Sequence, residues 1–275
     1  MSQLTLDVLI LAKNEAAEIV DCLNSAKALG PYLKELIVVD DFSQDQTASL
    51  AKQAGARVVQ RRLSNFADQR NFALSLSSAD WVFFLDCDER LSPALIEAIQ
   101  KSLSAGQLIA GEVKRRVFAF GRRQRFGPLA GDKVVRLFPR TLVQWTGLVH
   151  ERPLYELPKR PLAGYLEHHT YATWAEYLAK WSLYASLGAQ ESRRKGRKAS
   201  AFKAATRALG AFGKMFFGKL GFLGGPSAWA LCWFYSGYTL AKYLLLTDES
   251  VADPANQALT DQSGDDSPAA PSQDP

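Results

Sequence analysis

Cysteine is scarce in this chain of 275 residues: there are three, at positions 22, 87 and 232, and none lies at metal-binding spacing from another. An odd, scattered set argues against a disulfide framework and predicts a reducing compartment. A basic stretch followed by an apolar one is missing at the N-terminus, so we expect no signal peptide and a cytoplasmic location. The apolar stretch 228–241 is shorter than the roughly 20 residues that cross a bilayer and favours an interfacial or re-entrant helix.

Each of two long segments contains charged residues of only one sign. Residues 193–242 contain ten Lys or Arg and no Asp or Glu, whereas residues 248–275 contain seven Asp or Glu and no Lys or Arg. The basic segment predicts an anionic partner, either a membrane surface or nucleic acid. The acidic segment has almost no large apolar side chains and is predicted to be disordered.

Strand and helix signals alternate through the first 90 residues. Predicted strands cover 4–12, 33–41, 57–62 and 81–88, and predicted helices cover 14–29, 43–56 and 66–78. Strands separated by helices of this length predict an α/β fold, with a mostly parallel sheet flanked by helices. Three of the strands end in polar clusters, and ligands bind at the carboxyl edge of such sheets. The sequence therefore predicts a polar site at that edge.

The pattern changes in the second half of the chain. Short strands and Gly-rich turns fill about 111–160, residues 171–190 form an amphipathic aromatic helix, and 212–246 is rich in Phe, Leu, Trp, Tyr and Gly. We predict an α/β domain in 1–170, a helical membrane-associating region in 171–247 and a disordered acidic tail in 248–275. A solvated basic helix packed on the first domain is the alternative for the middle region.

Acidic residues at two strand ends are the first candidates for binding. Asp86 and Asp88 are two positions apart in an extended segment, so they point roughly the same way and suit Mg²⁺ or Mn²⁺. A solvated turn is the alternative. Asp40 and Asp41 close another strand and can accept hydrogen bonds from a ribose or a base N–H, unless one of them caps the following helix.

Two further sequence patterns become candidates for the same site because they accompany these acidic residues. Arg70 lies in the first part of the predicted helix 66–78, near the same edge, where it can pair with a phosphate or with the carboxylates, or lie on the surface. His150 and Glu151 stand side by side after a Gly turn. An imidazole beside a carboxylate supplies a general base or a pair of metal ligands.

Together these segments resemble the family 2 glycosyltransferases with a GT-A (Rossmann-like) fold. The motifs are "ILAKNEAAEI", "ELIVVDDFSQDQT", "DQRNFAL", "FFLDCDER" and "DKVVRLFPR", in the family's order and at its spacing over most of residues 5–140. The "GLVHE" segment and the basic, aromatic C-terminal region are similar to a narrower group, the lipopolysaccharide core glycosyltransferases, which sit on the inner membrane.

This resemblance implies a metal-dependent hexosyltransferase that inverts the configuration at the sugar carbon. The donor would be a nucleotide-diphosphate sugar, a UDP-sugar by default, and the acceptor a lipid-linked glycan, namely the lipopolysaccharide inner core. The enzyme would lie peripherally on the cytoplasmic face of the bacterial inner membrane, against its anionic surface. Another polysaccharide, a lipid carrier or a protein is the alternative acceptor.

The resemblance also implies roles for single residues. Those implied to bind the nucleotide sugar are Ala12, Lys13, Glu15, Asp40, Asp41, Arg70 and Asp86. Asp88 would bind Mg²⁺ or Mn²⁺, with His150 at the metal or the diphosphate. The Glu-Asp pair that supplies the catalytic base in many relatives is absent here. Glu151 is the best substitute for that base, and Asp132 is the runner-up.

Three other classes of protein fit the sequence less well. A receiver-like signalling module would also hold Mg²⁺ with strand-end acids, but the placement of the acids at 86 and 88 fits it poorly. A nucleotidyltransferase favours a Gly-rich phosphate loop near the first strand, and "LAKNEAAE" has none. A nucleic-acid binder would use the basic block 193–219, and its binding would depend strongly on salt.

Overall fold

The computed structural model describes residues 3–147 and 151–247, which belong to two units. The first unit holds the described residues up to Arg125 together with Leu129–Thr173, and the second holds Phe126–Pro128 and the described chain from Trp174 onward. His150 and the predicted disordered tail lie outside the described residues. The three-part division of the chain stays a prediction.

One large sheet forms the centre of the first unit. The strands of this unit are β1 (Leu6–Ala12), β2 (Leu33–Asp40), β3 (Arg57–Gln60), β4 (Trp81–Asp86), β5 (Glu89–Leu91), β6 (Ala110–Ala119), β7 (Arg122–Arg123), β8 (Lys133–Pro139), β9 (Gln144–Thr146), β10 (Arg152–Leu154), β11 (Lys159–Pro161) and β12 (Leu166–Tyr171). The main sheet has the order β3-β2-β1-β4-β8-β6-β12-β5, β7 and β11 pair with β6, and β9 and β10 form a separate ribbon. The first four strands are parallel, and β8 is antiparallel to its neighbours. The predicted α/β fold is confirmed.

Among the described residues of the first unit, four helices accompany the sheet: α1 (Ile19–Lys27), α2 (Thr47–Gln53), α3 (Phe66–Leu76) and α4 (Pro93–Ala105). Two of them begin later than the predicted 14 and 43, because the chain after β1 and β2 first forms turns. Asn14 has a φ of 56°, which a helix does not allow. Its side chain accepts a hydrogen bond from the N–H of Gln44, and its own N–H donates to Oγ of Ser43. These two loops are thus fixed against each other at the sheet edge.

The core of the first unit lies on both faces of the sheet. Alternate residues of β1 face opposite ways, so Val8 and Ile10 join the cluster that includes α1 and α4, while Leu9 joins the cluster that includes α3. Both clusters contain fully buried side chains, which is why the central strands are almost continuously apolar in sequence. The rigid sheet therefore fixes the positions of the residues that follow each strand.

The second unit is helical. It contains α5 (Trp174–Arg194), α6 (Ala201–Gly213), a π-helical turn (Lys214–Gly218) and α7 (Gly225–Thr247). Nε1 of Trp181 on α5 donates to the carbonyl of Phe234 on α7, and Oγ of Ser236 donates to the carbonyl of Ala208 on α6. The predicted C-terminal helical extension is confirmed. Within 3–147 and 151–247, no helix combines the length and apolar character needed to cross a membrane.

Candidate active site

The carboxyl ends of β1, β2 and β4 bring the predicted polar clusters together. In the sheet register Ala12 is opposite Asp40, and Leu11 is opposite Asp86. The residues that follow these strands therefore share one edge, as the parallel order requires. The predicted nucleotide-binding residues at or just beyond this edge are Ala12, Lys13, Glu15, Asp40, Asp41 and Asp86, and Arg70 reaches it from α3.

A cavity of about 560 Å³ opens beside Asp41. The Asp41 carboxylate is held by Nζ of Lys13 at 2.6 Å and by the backbone N–H of Leu63 at 3.0 Å. These two hydrogen bonds, the one from Lys13 first, lower the pKa of Asp41. The carboxylate is therefore ionised at neutral pH and keeps lone pairs that can accept from a ribose hydroxyl or a base N–H.

Asp40 and Glu15 support the loops around this cavity. Asp40 is fully buried, and its oxygens accept from the N–H and Oγ of Ser43 and from Nε2 of Gln60. Of the acidic pair, Asp40 therefore caps the turn that leads to α2, while Asp41 faces the cavity. The N–H of Glu15 donates to Oγ1 of Thr47 at 2.7 Å, which ties the first loop to the start of α2.

Behind Asp86 runs a chain of alternating charges. Asp86 contacts two arginines, with Arg70 Nη2 at 3.0 Å from Oδ1 and Arg136 Nη2 hydrogen bonded to Oδ2. Nη2 of Arg136 also donates to Oε1 of Glu89 at 2.9 Å. At the two ends, Glu151 Oε1 lies 3.7 Å from Arg70 Nη2, and Arg115 Nη1 lies 3.6 Å from Glu89 Oε1. We call these six residues the ion network.

Burial and the neighbouring charges act in opposite directions on the pKa values of the ion network. Burial opposes ionisation of Asp86, but the charges of Arg136 and then Arg70 outweigh it and hold the pKa of Asp86 well below its usual range. Burial wins at Glu89, which is fully buried, and raises the pKa of that carboxyl. The pKa of Arg136 is raised by Asp86 and Glu89, which outweigh its own burial. Asp86 is thus a permanent anion fixed by two cations.

A second cavity, of about 410 Å³, opens onto the ion network. Its charged lining consists of three guanidiniums, those of Arg70, Arg115 and Arg136, and two carboxylates, those of Asp86 and Glu151. Arg70 also stacks on Trp145, with its guanidinium carbon 4.7 Å from the ring centroid. Arginines held this rigidly match the geometry of phosphate oxygens. The cavity is therefore suited to a phosphate-bearing ligand.

Asp88 lies in the turn after β4 and approaches His168 of β12. Nδ1 of His168 is 3.2 Å from Oδ1 of Asp88, and the N–H of His169 donates to the Asp88 carbonyl at 2.8 Å. Burial lowers the pKa of His168, but the hydrogen bond and charge of Asp88 outweigh it and raise this pKa. Both side chains are partly exposed, at 29% for Asp88 and 16% for His168.

This pair fits a divalent cation that takes its remaining ligands from a substrate. A carboxylate and an imidazole are accepted by Mn²⁺, and Mg²⁺ often uses one or two carboxylates together with substrate phosphates. In the described part of the chain, no group of three His, Cys, Asp or Glu side chains forms a metal site by itself. His150, the other predicted ligand, lies outside the described residues.

The two candidates for the catalytic base differ in their surroundings. Glu151 lines the second cavity, and its side chain is 25% exposed. Asp132 makes two hydrogen bonds of 2.7 Å to Nε and Nη2 of Arg115, and the bond to Arg115 lowers the pKa of Asp132 despite partial burial. A carboxylate whose two oxygens bind a guanidinium is a weak base. The geometry therefore favours Glu151.

Sequence reasoning missed four residues that the fold brings to the site. Arg136 and Glu89 lie inside the quoted motifs "DKVVRLFPR" and "FFLDCDER", yet both resembled ordinary strand residues. Arg115 is one of several arginines in "KRRVFAFGRRQR". His168 is distant in sequence and reaches Asp88 because β12 pairs with β5, which places His168 opposite Glu89. Only the sheet register could have identified His168.

The comparison with protein families gives the class of the molecule. The family model "Glycosyl transferase family 2" matches residues 7–141. An uncharacterised glycosyltransferase of Rickettsia typhi is 31% identical over 223 residues, which cover 76% of this chain and 75% of the relative. The chain belongs to glycosyltransferase family 2, and it is a glycosyltransferase.

Two further relatives match smaller parts of the chain. The lipopolysaccharide core biosynthesis glycosyltransferase LpsC of Rhizobium meliloti is 34% identical over 125 residues, which cover 43% of this chain and 45% of that protein. Among solved structures, glucosyl-3-phosphoglycerate synthase of Mycobacterium tuberculosis, in complex with Mn²⁺, UDP and glucosyl-3-phosphoglycerate, is 27% identical with a TM-score of 0.35. The match covers 43% of this chain and less than half, 45%, of that structure.

Proposed function

We propose that this enzyme transfers a hexose from a nucleotide-diphosphate sugar, UDP-hexose by default, to a lipid-linked glycan of the lipopolysaccharide inner core, with inversion at the sugar carbon. The observation that carries the donor class is the cavity of three guanidiniums at the sheet edge that also bears Asp41. Asp41 and Lys13 take the nucleoside end, while Arg70 and Arg136 face the diphosphate.

The proposed metal site consists of Asp88 and His168. These two side chains would hold Mg²⁺ or Mn²⁺, and the ion would supply positive charge next to the departing diphosphate. Asp86 belongs to a different part of the site, because Arg70 and Arg136 already bind its two oxygens. Its proposed role is to hold these two arginines in position, so that they can contact the ribose, the sugar and the phosphates of the donor.

Glu151 is the proposed general base. In a single displacement, the acceptor hydroxyl oxygen forms a bond to the sugar carbon, and the bond from that carbon to the phosphate oxygen breaks. The hydroxyl proton passes to Glu151, and the bonding electron pair leaves with the diphosphate. Proton transfer to a positioned carboxylate contributes about 10²–10⁴-fold to such rates.

An acidic acceptor is supported by the β6–β7 hairpin of the first unit. Arg123 is opposite Phe118, so Arg116 and Arg123 share a face of the ladder. Burial, followed by the charges of Arg116 and Arg125, lowers the pKa of Arg123, which means that the three cations lie close together. Phosphate or carboxylate groups on an acceptor glycan would relieve this repulsion. The similarity to LpsC points to the same acceptor class.

A membrane-bound acceptor is supported by the second unit. Between residues 202 and 233, its large apolar side chains with exposures between 48% and 80% are Phe202, Leu209, Phe217, Leu223, Trp229 and Trp233. Lys203, Arg207, Lys214 and Lys219 lie among them in sequence, without an acidic residue. Aromatic side chains next to lysines and arginines suit the interface of an anionic bilayer. We call these ten residues the interfacial surface.

Donor hydrolysis tests the proposed reaction without a known acceptor. Purified enzyme is offered UDP-, GDP-, ADP- and CDP-hexoses with Mn²⁺, with Mg²⁺ and with EDTA. We expect metal-dependent release of the nucleoside diphosphate from one donor. We also expect the sugar of that donor to be transferred to a lipopolysaccharide core acceptor that ends just before the position of this sugar. Hydrolysis that persists in EDTA would contradict the metal site, and transfer only to another polysaccharide, lipid carrier or protein would contradict the acceptor.

A further inference from the structure

Phe42 has a backbone conformation that an L-residue avoids. Its φ is 50°, in the left-handed region where the side chain crowds the carbonyl and where glycine is preferred. Hydrogen bonds on both sides impose this geometry, because Asp40 accepts from Ser43, and Asn14 bonds to Ser43 and Gln44. Strain of this kind persists where the surrounding structure over-determines it, and it clusters at ligand-binding sites.

Core packing does not account for the phenylalanine at this position. The Phe42 side chain is 48% exposed, so little apolar surface is buried in return for the strain. Instead the ring lines the 560 Å³ cavity together with Lys13 and Asp41. The conformation therefore presents an aromatic ring to the cavity whose polar end is formed by the Asp41 carboxylate.

Arg62 lines the same cavity and holds the ring. Its guanidinium carbon lies 5.5 Å from the centroid of the Phe42 ring, within the range of a cation–π contact. Both groups are flat and stack on other π systems. A phenyl ring with a guanidinium above it, next to a fixed hydrogen-bond acceptor, is a surface that suits a nucleobase.

We propose that Phe42 is the base-stacking residue of the donor site, with the nucleobase against its ring, Arg62 positioning the ring and Asp41 accepting a hydrogen bond from the base or ribose. This inference rests on the proposed function, because it states how the nucleoside end of the donor is held. Stacking tolerates any base, so Phe42 supplies affinity, while the hydrogen bonds to Asp41 and Lys13 distinguish between bases.

The test is Phe42→Gly, since glycine adopts the φ of 50° without strain. Binding of UDP, GDP, ADP and CDP to the full-length enzyme is measured by calorimetry, and pyrophosphate serves as a ligand without a base. We expect roughly a 5- to 100-fold higher Kd for the nucleotide that the wild type prefers, as for loss of one base–aromatic stack. The Kd for pyrophosphate should not change, and the Tm should stay the same or rise.

Two variants serve as controls. Phe42→Tyr keeps the ring and should keep the affinity, and Phe66→Ala removes another exposed ring, 50% accessible at the start of α3, and should leave the Kd unchanged. If the wild type binds a nucleotide and Phe42→Gly binds it equally well, Phe42 does not stack on the base. Equal weakening of nucleotide and pyrophosphate binding would also overturn the inference. A wild type that binds none of the four nucleotides would contradict the proposed function itself.

Discussion

At the residue scale, the chemistry of the site depends on charges that are buried and mutually neutralised. Arg136 is 5% exposed and lies between Asp86, whose side chain is 31% exposed, and Glu89, which is fully buried. Each of these ions would be unstable alone in the interior, because an unpaired buried charge loses its hydration. Arg136 therefore stabilises both carboxylates, and Asp86 in turn holds Arg70 in position.

Replacing Arg136 tests this dependence. Arg136→Met leaves Glu89 without its closest cation, and we expect the free energy of unfolding to fall by about 3–5 kcal/mol, the usual cost of breaking a buried pair. Urea denaturation measures the change. Arg57→Met is the matched control, because the Arg57–Glu35 pair is at the surface with an N–O distance of 3.5 Å, and its loss should cost about 0–1 kcal/mol. Equal costs for the two variants would show that the contacts of Arg136 add no more to stability than a surface ion pair.

Glu151 and Asp132, the two candidates for the catalytic base, should respond differently to replacement by the matching amide. Glu151→Gln removes a proton acceptor from the second cavity but keeps its shape, so we expect donor hydrolysis to fall by about 10²–10⁴-fold with little change in the Kd for the nucleotide. Asp132→Asn should keep most of the turnover, because its oxygens serve Arg115. The opposite result, in which Asp132→Asn loses turnover and Glu151→Gln keeps it, would exchange the two roles.

At the element scale, the sequence signals were reliable where the structure is local. Ser92 and Pro93 predicted the start of α4, and the helix begins at Pro93. The starts of α1 and α2 were predicted too early, because the hydrogen bonds of Asn14 with Ser43 and Gln44 join two loops that are 30 residues apart in the chain. Such a contact exists only after the strands have paired, so no local pattern predicts it.

Gly164 gives a test of close packing between elements. Its φ is 86°, and a Cβ at this position would lie 2.3 Å from the backbone nitrogen of Leu95 at the start of α4. Gly106, which follows α4, has a φ of 63° and no atom within 4 Å of such a Cβ. We expect Gly106→Ala to lower the free energy of unfolding by about 1–2 kcal/mol through backbone strain alone. Gly164→Ala should lower it clearly more, because it adds a steric clash to the strain. Thermal denaturation compares them, and similar Tm values would contradict the tight contact.

At the scale of the whole molecule, charge is distributed unevenly along the chain. The formal net charge is +5, yet the residues around Asp86 alternate in sign and the basic block 193–242 has no acidic residue. A balanced site can hold a metal and a diphosphate, whereas an unbalanced basic surface attracts an anionic bilayer. The proposed function assigns these two properties to different parts of the chain.

Membrane binding can be tested on the interfacial surface. Replacing Phe202 and Phe217 by Ser removes side chains that are 80% and 66% exposed, so the fold should be kept. We expect weaker co-sedimentation with vesicles that contain phosphatidylglycerol, and Lys203→Ala with Arg207→Ala should weaken it by roughly tenfold or more, since each charge contributes about 1 kcal/mol.

Leu108→Ser is the control for the loss of an exposed apolar side chain, because Leu108 is 57% exposed in the first unit. Unchanged vesicle binding in both double variants would refute a membrane role for the interfacial surface. Salt-sensitive binding to DNA that is stronger than binding to the vesicles would indicate a nucleic-acid partner instead.

The α/β class, the family and the edge at which the site lies could be predicted from the sequence, because strand and helix periodicity and the motifs after each strand are local properties. The sequence also placed Asp41, Arg70 and Asp86 at that edge. The contacts that these residues make depend on the tertiary structure. Strand pairing places His168 next to Asp88, and Arg136 next to Asp86 and Glu89. The contact between the loops after β1 and β2 places Phe42 at the cavity. These contacts join distant parts of the chain, so they depend on register and packing rather than on any local pattern.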